Sequence, residues 1–228
     1  MANTDNNLYK LPQKAVKTID SLVNRGIRTE VFPGCQVVVF HKGEVVFDKC
    51  YGYQTYDKLL PITDTTMYDM ASVTKAAATT LAVMKLYDEG KIKLYDTIGT
   101  YLPYLRGTDK SRIPLIELLT HTSGMPAFIP FYKKICNNCR YVVPCPSDQF
   151  SVQIADSCFL RNDYQDSVRY KIAHCKLGAK KYVYSDLNFV CLKEMVEQIT
   201  GMPMDQYLQD NFYQPMGLRF TCFNPLRN

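Results

Sequence analysis

The sequence has no apolar run long enough to cross a membrane as a helix, because none reaches ~18 residues. Residues 1–7 contain neither a basic nor an apolar segment, so no signal peptide is predicted. Lysine and arginine are scattered and the net charge is a modest +5, so we expect no nucleic-acid partner. The 228 residues, 46% hydrophobic and 21% charged, suit a globular protein, and we expect one domain over residues 1–228.

Cysteine is abundant. There are nine residues, and an odd number leaves at least one thiol unpaired even after full oxidation. The only local cluster is Cys136 and Cys139, with Cys145 close behind. A structural zinc site would need two more ligands at regular spacing. The remaining candidates, which are not so placed, are Cys158, His174 and Cys175. We therefore expect free or loosely paired thiols, no metal and no cofactor.

A β-hairpin is predicted near the N-terminus. Residues 36–40 and 44–48 are rich in valine and phenylalanine, and residues 41–43, His-Lys-Gly, supply a glycine-bearing loop. Before them, residues 10–24 carry apolar side chains at helical spacing and predict an amphipathic helix.

Helices dominate the rest of the chain, which makes an α+β protein with the hairpin. Residues 73–87 are apolar on nearly every side and predict a helix buried all round, which Gly90 ends. Further helices are predicted over residues 114–120, around 152–160, over 187–199, and from Pro203 to about residue 211.

Ser72 and Lys75 offer a nucleophile and a base one helical turn apart, because a helix places positions i and i+3 on one face. A serine hydroxyl needs an adjacent base, and a lysine acts as one only if its pKa is lowered. In the alternative interpretation Ser72 caps the helix and Lys75 is a surface lysine. The chain has no Gly-x-Ser-x-Gly elbow, which argues against an α/β-hydrolase.

Three motifs occur in an order that resembles serine β-lactamase-like and penicillin-binding proteins. They are Ser-Val-Thr-Lys at residues 72–75, Leu-Leu-Thr-His-Thr-Ser-Gly at 118–124, and Tyr-Ser-Asp at 184–186. Class C β-lactamases, D-amino-acid peptidases and related esterases form the branch most like this chain. The resemblance runs from about residue 28 to 224. It implies a β-lactamase/transpeptidase-like fold, with a helical subdomain and an N-terminal hairpin of an incomplete antiparallel sheet.

The resemblance also implies roles for individual residues. Ser72 would be the acylated nucleophile, and its backbone N–H would form half of an oxyanion hole. Lys75 would belong to the hydrogen-bond network through which the Ser72 proton moves. Tyr184 would move the proton from the serine to the leaving group, although a core tyrosine is the alternative. Val73, His121 and Gly124 are expected to support the site, with His121 held by loop hydrogen bonds and Gly124 supplying a special backbone angle.

Asp186 leaves two compatible interpretations open. It could pair with Lys75 and hold that amine charged, which would favour Tyr184 as the base. It could equally be the N-cap of the helix that begins near Leu187. A carboxylate cannot donate an amide hydrogen bond to a substrate carbonyl, so the choice of substrate stays open.

A third family motif, Lys-Thr/Ser-Gly or His-x-Gly on a site-lining strand, has no match after Tyr184. We therefore expect a C-terminally incomplete domain that is weakly active or inactive alone. We also expect an exposed hairpin edge open to pairing, and the remainder of a longer polypeptide as a partner.

The expected function is a serine hydrolase that cleaves an amide or ester through an acyl-enzyme on Ser72. β-Lactams, D-amino-acid peptides and small esters are all suitable small-molecule or peptide substrates. The alternative is a non-catalytic binding module that retains the scaffold. By resemblance the protein would be periplasmic or secreted, although no signal peptide is visible.

Overall fold

A computed structural model of the protein describes residues 10–135 and 140–223. Contacts within the chain divide it into two compact units, with the boundary between Asp69 and Met70. Our expectation of a single domain stays a prediction. The proposed cysteine cluster falls partly outside the described residues, because Cys136 and Cys139 are not among them.

The first unit contains a helix and the predicted hairpin. Helix α1 spans Gln13–Arg28, strand β1 spans Gly34–His41 and strand β2 spans Glu44–Gly52. The strands pair antiparallel, and Lys42 and Gly43 both have positive φ, 49° and 87°. A two-residue turn of that kind matches the twist of the strands it joins. The hairpin is confirmed, with longer strands than predicted.

Helix α1 contacts β2 through polar groups. Asp20 Oδ1 accepts hydrogen bonds from Lys49 Nζ at 2.8 Å and from the Tyr51 hydroxyl at 2.6 Å. Phe47 on the same strand is fully buried. The predicted helix is confirmed. It begins after Pro12 and runs four residues beyond the predicted end at residue 24.

The second unit begins with the helix that carries the Ser-x-x-Lys motif. A π-helical segment, Lys75–Thr80, leads directly into helix α2, Leu81–Asp88. Gly90, with φ of +68°, follows the helix as predicted. Burial all round is wrong, because Met84 and Tyr87 are 59% and 52% exposed although Ala82, Val83 and Leu86 are buried. The sequence did not reveal the exposed face, because apolar residues occupy both the buried face and the exposed face of the helix.

Helix α6, Asp186–Thr200, forms the centre of the second unit. Its buried residues include Leu187, Leu192, Met195 and Val196. It contacts α2 and also α3 (Ile98–Tyr101), α4 (Leu115–Leu119) and α7 (Met204–Leu208). Helix α5 spans Tyr164–His174. Short 3₁₀ turns lie at Pro103–Leu105, Asp109–Arg112 and Phe131–Lys134, and a π-helical segment at Gln209–Tyr213 follows α7. The predicted helices at 114–120, 187–199 and after Pro203 are confirmed.

The predicted helix around residues 152–160 is wrong. Those residues form strands β4, Val152–Ala155, and β5, Cys158–Leu160. Strand β5 pairs antiparallel with β4 on one side and with β3, Val142–Val143, on the other, in the order β3-β5-β4. Val152 and Ile154 are β-branched residues at alternate positions, the pattern of a strand. Ser157, with φ of +48°, turns the chain between β4 and β5.

Two further observations concern the described residues as a whole. Within them, no helix combines the length and the apolar character that a membrane crossing requires. The seven cysteines that they include are free thiols, which are Cys35, Cys50, Cys145, Cys158, Cys175, Cys191 and Cys222.

Candidate active site

Ser72 and Lys75 meet on one turn of the second unit. The Lys75 Nζ donates a hydrogen bond to the Ser72 Oγ at 3.2 Å, and the Lys75 N–H donates to the Ser72 carbonyl at 3.1 Å. Ser72 is exposed, whereas the Lys75 side chain is only 18% exposed. Val73 and Thr74 are already helical, so Ser72 directly precedes the helix. The part of the alternative that makes Lys75 a surface lysine is wrong, because its side chain is mostly buried.

Asp186 is the ion-pair partner of Lys75. Its Oδ1 lies 2.7 Å from the Lys75 Nζ. That oxygen is shielded from solvent and receives no directed hydrogen bond within the described part of the chain, so the ammonium balances its charge. The N-cap of α6 is Ser185, and Asp186 is the first helical residue. Of the two interpretations of Asp186, the ion pair is confirmed and the N-cap is wrong.

The ion pair decides the protonation of Lys75. Burial disfavours the charged amine, but the contacts with Asp186 and Tyr184 outweigh burial and raise the pKa of Lys75 above its ordinary value. A lysine that acts as a free base would need the opposite change in pKa. At neutral pH Lys75 is therefore an ammonium group beside the Ser72 hydroxyl.

Tyr184 completes the arrangement. The Lys75 Nζ lies 5.1 Å from the centroid of the Tyr184 ring, and hydrogen bonds with Ser72 and then with Lys75 lower the pKa of the phenol below its ordinary value. The side chain is 42% exposed, so the alternative of a core tyrosine is wrong. A lowered pKa favours the phenolate form of Tyr184, and a phenolate in contact with both the serine and the ammonium can accept the serine proton.

His121 supports the segment that carries Tyr184. Its Nδ1 accepts a hydrogen bond from the Ser185 N–H at 3.0 Å, and its ring centroid lies 4.5 Å from that of Tyr184 and 5.3 Å from that of Phe189. Burial, followed by the nearby Lys75 charge, lowers the pKa of His121 despite the opposing effect of Asp186. A neutral imidazole that accepts at Nδ1 carries its proton on Nε2.

Gly124 lets two loops approach each other closely. Its φ is +79°, and its carbonyl accepts a hydrogen bond from the Gly178 N–H at 2.7 Å. A Cβ at this position would lie 2.8 Å from the Gly178 carbonyl oxygen. The Ser185 Oγ donates to the Pro126 carbonyl at 2.6 Å, so the loop after His121 is bonded at several points to the segment that carries Tyr184.

Val73 supports the site through its backbone. Its N–H donates to the Met70 carbonyl at 2.9 Å and closes the turn that presents Ser72, while its side chain is 53% exposed. The residue between Met70 and Ser72 in this turn, Ala71, has a φ of +42°, which is uncommon for a residue with a side chain.

The sequence did not reveal one supporting residue, Asn188. It is fully buried; its Oδ1 accepts from the Ser123 Oγ at 2.7 Å, and its Nδ2 lies 3.4 Å from the His121 Nδ1. The available signal was an asparagine between the apolar residues Leu187 and Phe189 on the first turn of the helix, one turn after Ser185. No group of three or more His, Cys, Asp or Glu side chains in the described ranges is arranged to hold a metal ion.

A helix-borne Ser-x-x-Lys pair in contact with a tyrosine, within an α+β fold, defines the class of β-lactamase-like and penicillin-binding-protein-like proteins. A sequence profile of the β-lactamase family matches residues 19–228, and the chain belongs to this family.

Two similar curated proteins are both longer than this chain. The N-acetylmuramyl-L-alanine amidase of Bacillus subtilis (strain 168) is 30% identical over 234 residues, covering 94% of this chain and 47% of that protein. A putative D-alanyl-D-alanine carboxypeptidase of Salmonella schwarzengrund (strain CVM19633) is 34% identical over 210 residues, covering 86% of this chain and 44% of that protein. The chain thus spans less than half the length of either relative.

Solved structures confirm the β-lactamase/transpeptidase-like fold. A class C β-lactamase in complex with cefoxitin has a TM-score of 0.67 at 20% identity, covering 91% of this chain and 51% of that one. The octameric penicillin-binding protein homologue of Pyrococcus abyssi has a TM-score of 0.69 at 21% identity, covering 90% and 43%. At these identities the likeness concerns the fold alone.

Proposed function

We propose that the protein is a serine hydrolase that cleaves an amide or ester through an acyl-enzyme on Ser72. The observation that carries this proposal is the 3.2 Å hydrogen bond from Lys75 Nζ to Ser72 Oγ, with Tyr184 bonded to the same two groups. A nucleophile within reach of a proton acceptor, which a third group holds in place, is the arrangement that nucleophilic catalysis requires.

In the proposed mechanism Tyr184 is the base. Its phenolate, favoured because Ser72 and Lys75 lower the pKa of Tyr184, takes the Ser72 proton as the Oγ attacks the carbonyl carbon and so becomes the phenol. The Ser72 backbone N–H contributes to the stabilisation of the oxyanion. As the carbonyl–leaving group bond breaks, Tyr184 returns the proton to the leaving amine or alkoxide. Water then repeats the sequence on the acyl-enzyme and releases the acid.

Lys75 acts as a cation in this mechanism and not as the base. Its raised pKa keeps it protonated, and its charge lies 5.1 Å from the centre of the Tyr184 ring. A fixed ammonium favours the phenolate over the phenol, so it sustains the reactive form of Tyr184.

The proposed substrates are small molecules or peptides with a carbonyl accessible at the exposed Ser72, namely β-lactams, D-amino-acid peptides or small esters. The names of the two curated relatives, an amidase and a D-alanyl-D-alanine carboxypeptidase, support amide cleavage.

The test is covalent labelling of the full 228-residue chain with a neutral alkyl fluorophosphonate, read by intact mass. We expect one adduct on the wild type and on the control Ser21→Ala, an exposed position of α1, and none on Ser72→Ala. Labelling needs only one attack by Ser72, so even the weak activity expected of this chain suffices for it. An unlabelled, folded wild type would overturn the proposal and favour a non-catalytic binding module.

A further inference from the structure

The carboxylate of Asp186 lies beside the proposed nucleophile. Lys75 Nζ is 3.2 Å from the Ser72 Oγ and 2.7 Å from the Asp186 Oδ1, so the carboxylate lies within about 6 Å of the attacking oxygen, a range at which charges interact by several kT near a protein surface. An acyl group attached to Ser72 would therefore be placed within the field of this carboxylate.

The carboxylate is only partly covered by its ion pair. Its Oδ1 is shielded from solvent, yet the side chain as a whole is 43% exposed, so the remainder of the group faces the solvent. The Lys75 ammonium approaches from the Oδ1 side, and the Lys75 side chain is 18% exposed. Of the two charged side chains, the negative one is therefore the more exposed to solvent.

Two exposed aromatic side chains lie in the segment that precedes this carboxylate. Tyr184, whose ring faces Lys75, is 42% exposed, and Tyr182, whose ring packs edge-on against His121 with centroids 6.2 Å apart, is 69% exposed. The faces of such rings attract ammonium groups and accept neutral apolar groups, but they offer nothing to a carboxylate.

We infer that Asp186 is a specificity-determining residue that selects acyl substrates by charge, in the order ammonium-bearing, then neutral, then carboxylate-bearing. This inference rests on the proposed acyl-enzyme at Ser72. An uncharged residue at position 186 would leave the Lys75 ammonium unbalanced, and the site would then attract carboxylates. Asp186 thus excludes a class of substrate by repulsion as well as attracting another.

Three matched compounds test this order. D-alanine p-nitroanilide carries an ammonium group, its N-acetyl derivative is neutral, and its N-succinyl derivative carries a carboxylate. Each is measured by the concentration that halves the rate at which the fluorophosphonate labels Ser72. We expect the ammonium compound to compete best and the succinyl compound worst, with about a tenfold difference between them, as expected for one charge interaction across a partly exposed site.

The variants separate charge from structure. Asp186→Asn should abolish or reverse the order, Asp186→Glu should retain it, and Asp156→Asn, the same change in the exposed turn between β4 and β5, should leave it unchanged. Labelling without any charge preference, or a preference that survives in Asp186→Asn, would overturn this inference and leave the acyl-enzyme proposal intact. No labelling at all would instead mean that the proposed function itself fails.

Discussion

The Ser185 N–H donates a hydrogen bond to the Nδ1 of His121, 3.0 Å away, across two loops that are distant in sequence. Tyr184 directly precedes Ser185, and its ring lies 4.5 Å from the imidazole. The bond requires a neutral imidazole, since a protonated Nδ1 would be a donor facing a donor. The position of the proposed base therefore depends on the protonation of a second titratable group.

His121 should make stability depend on pH. Burial and Lys75 lower its pKa in the folded protein, so its contribution is fully present above the unfolded pKa of about 6.5 and is lost as the pH falls through the lower folded value. We expect the melting temperature to fall below pH 6.5. The fall should be smaller in His121→Gln, while His41→Gln, at the exposed end of β1, should behave as wild type. Identical profiles for His121→Gln and the wild type would contradict this.

Tyr184→Phe should slow the labelling of Ser72 by about 10²–10⁴-fold, the usual contribution of a positioned acid–base group. The fold should be preserved, because the ring that packs on His121 remains. In the wild type, labelling should increase with pH through a value below the ordinary tyrosine pKa, because the Tyr184 pKa is lowered. Tyr182→Phe is the matched control, and an equal loss there would argue against a specific role for Tyr184.

Lys75→Arg should retain more activity than Lys75→Met if the lysine acts as a charge. Arginine keeps the cation that balances Asp186, whereas methionine leaves a carboxylate without its partner and lets the Tyr184 pKa rise. The measurement is the rate at which the fluorophosphonate labels Ser72 in each variant, as a function of pH. Equal inactivity of both, with Tyr184→Phe fully active, would indicate that Lys75 is the base.

Gly124→Ala should destabilise the protein by about 1–3 kcal/mol, from backbone strain and a steric clash. The glycine has φ of +79°, and a new Cβ would lie 2.8 Å from the Gly178 carbonyl oxygen. Gly107→Ala isolates the strain, because Gly107 has φ of +80° with nothing within 4 Å of a new Cβ. Urea denaturation should show the larger loss for Gly124→Ala. Equal losses would mean that the close approach contributes nothing.

What the sequence predicted correctly is mostly local. The hairpin follows from β-branched residues around a glycine turn, and the pairing of Ser72 with Lys75 follows from helical spacing, so neither depends on distant residues. The role of Asp186 could not be decided in this way. It depends on α6 packing against the π-helical segment that begins at Lys75, which no local pattern encodes.

Sequence-based prediction was wrong for the short strands and missed one residue of the site. Strands β4 and β5 have four and three residues, too few for alternation to be distinguished from helical spacing. Asn188 was missed for another reason. Its partners Ser123 and His121 lie in a different loop, so only the folded chain shows that its amide is satisfied.

The π-helical segment Lys75–Thr80 sets the direction in which Ser72 and Lys75 point about the helix axis, relative to the buried residues of α2. Each extra residue in a helix turns everything beyond it by about 100°, and a π-helical segment accommodates such a residue without breaking the helix. Removing one alanine from this segment would allow a regular α-helix. It would also rotate Ser72 and Lys75 away from Asp186 while Ala82, Val83 and Leu86 stayed in the core. The π-helical winding thus fixes the angular position of the reactive pair around the helix axis.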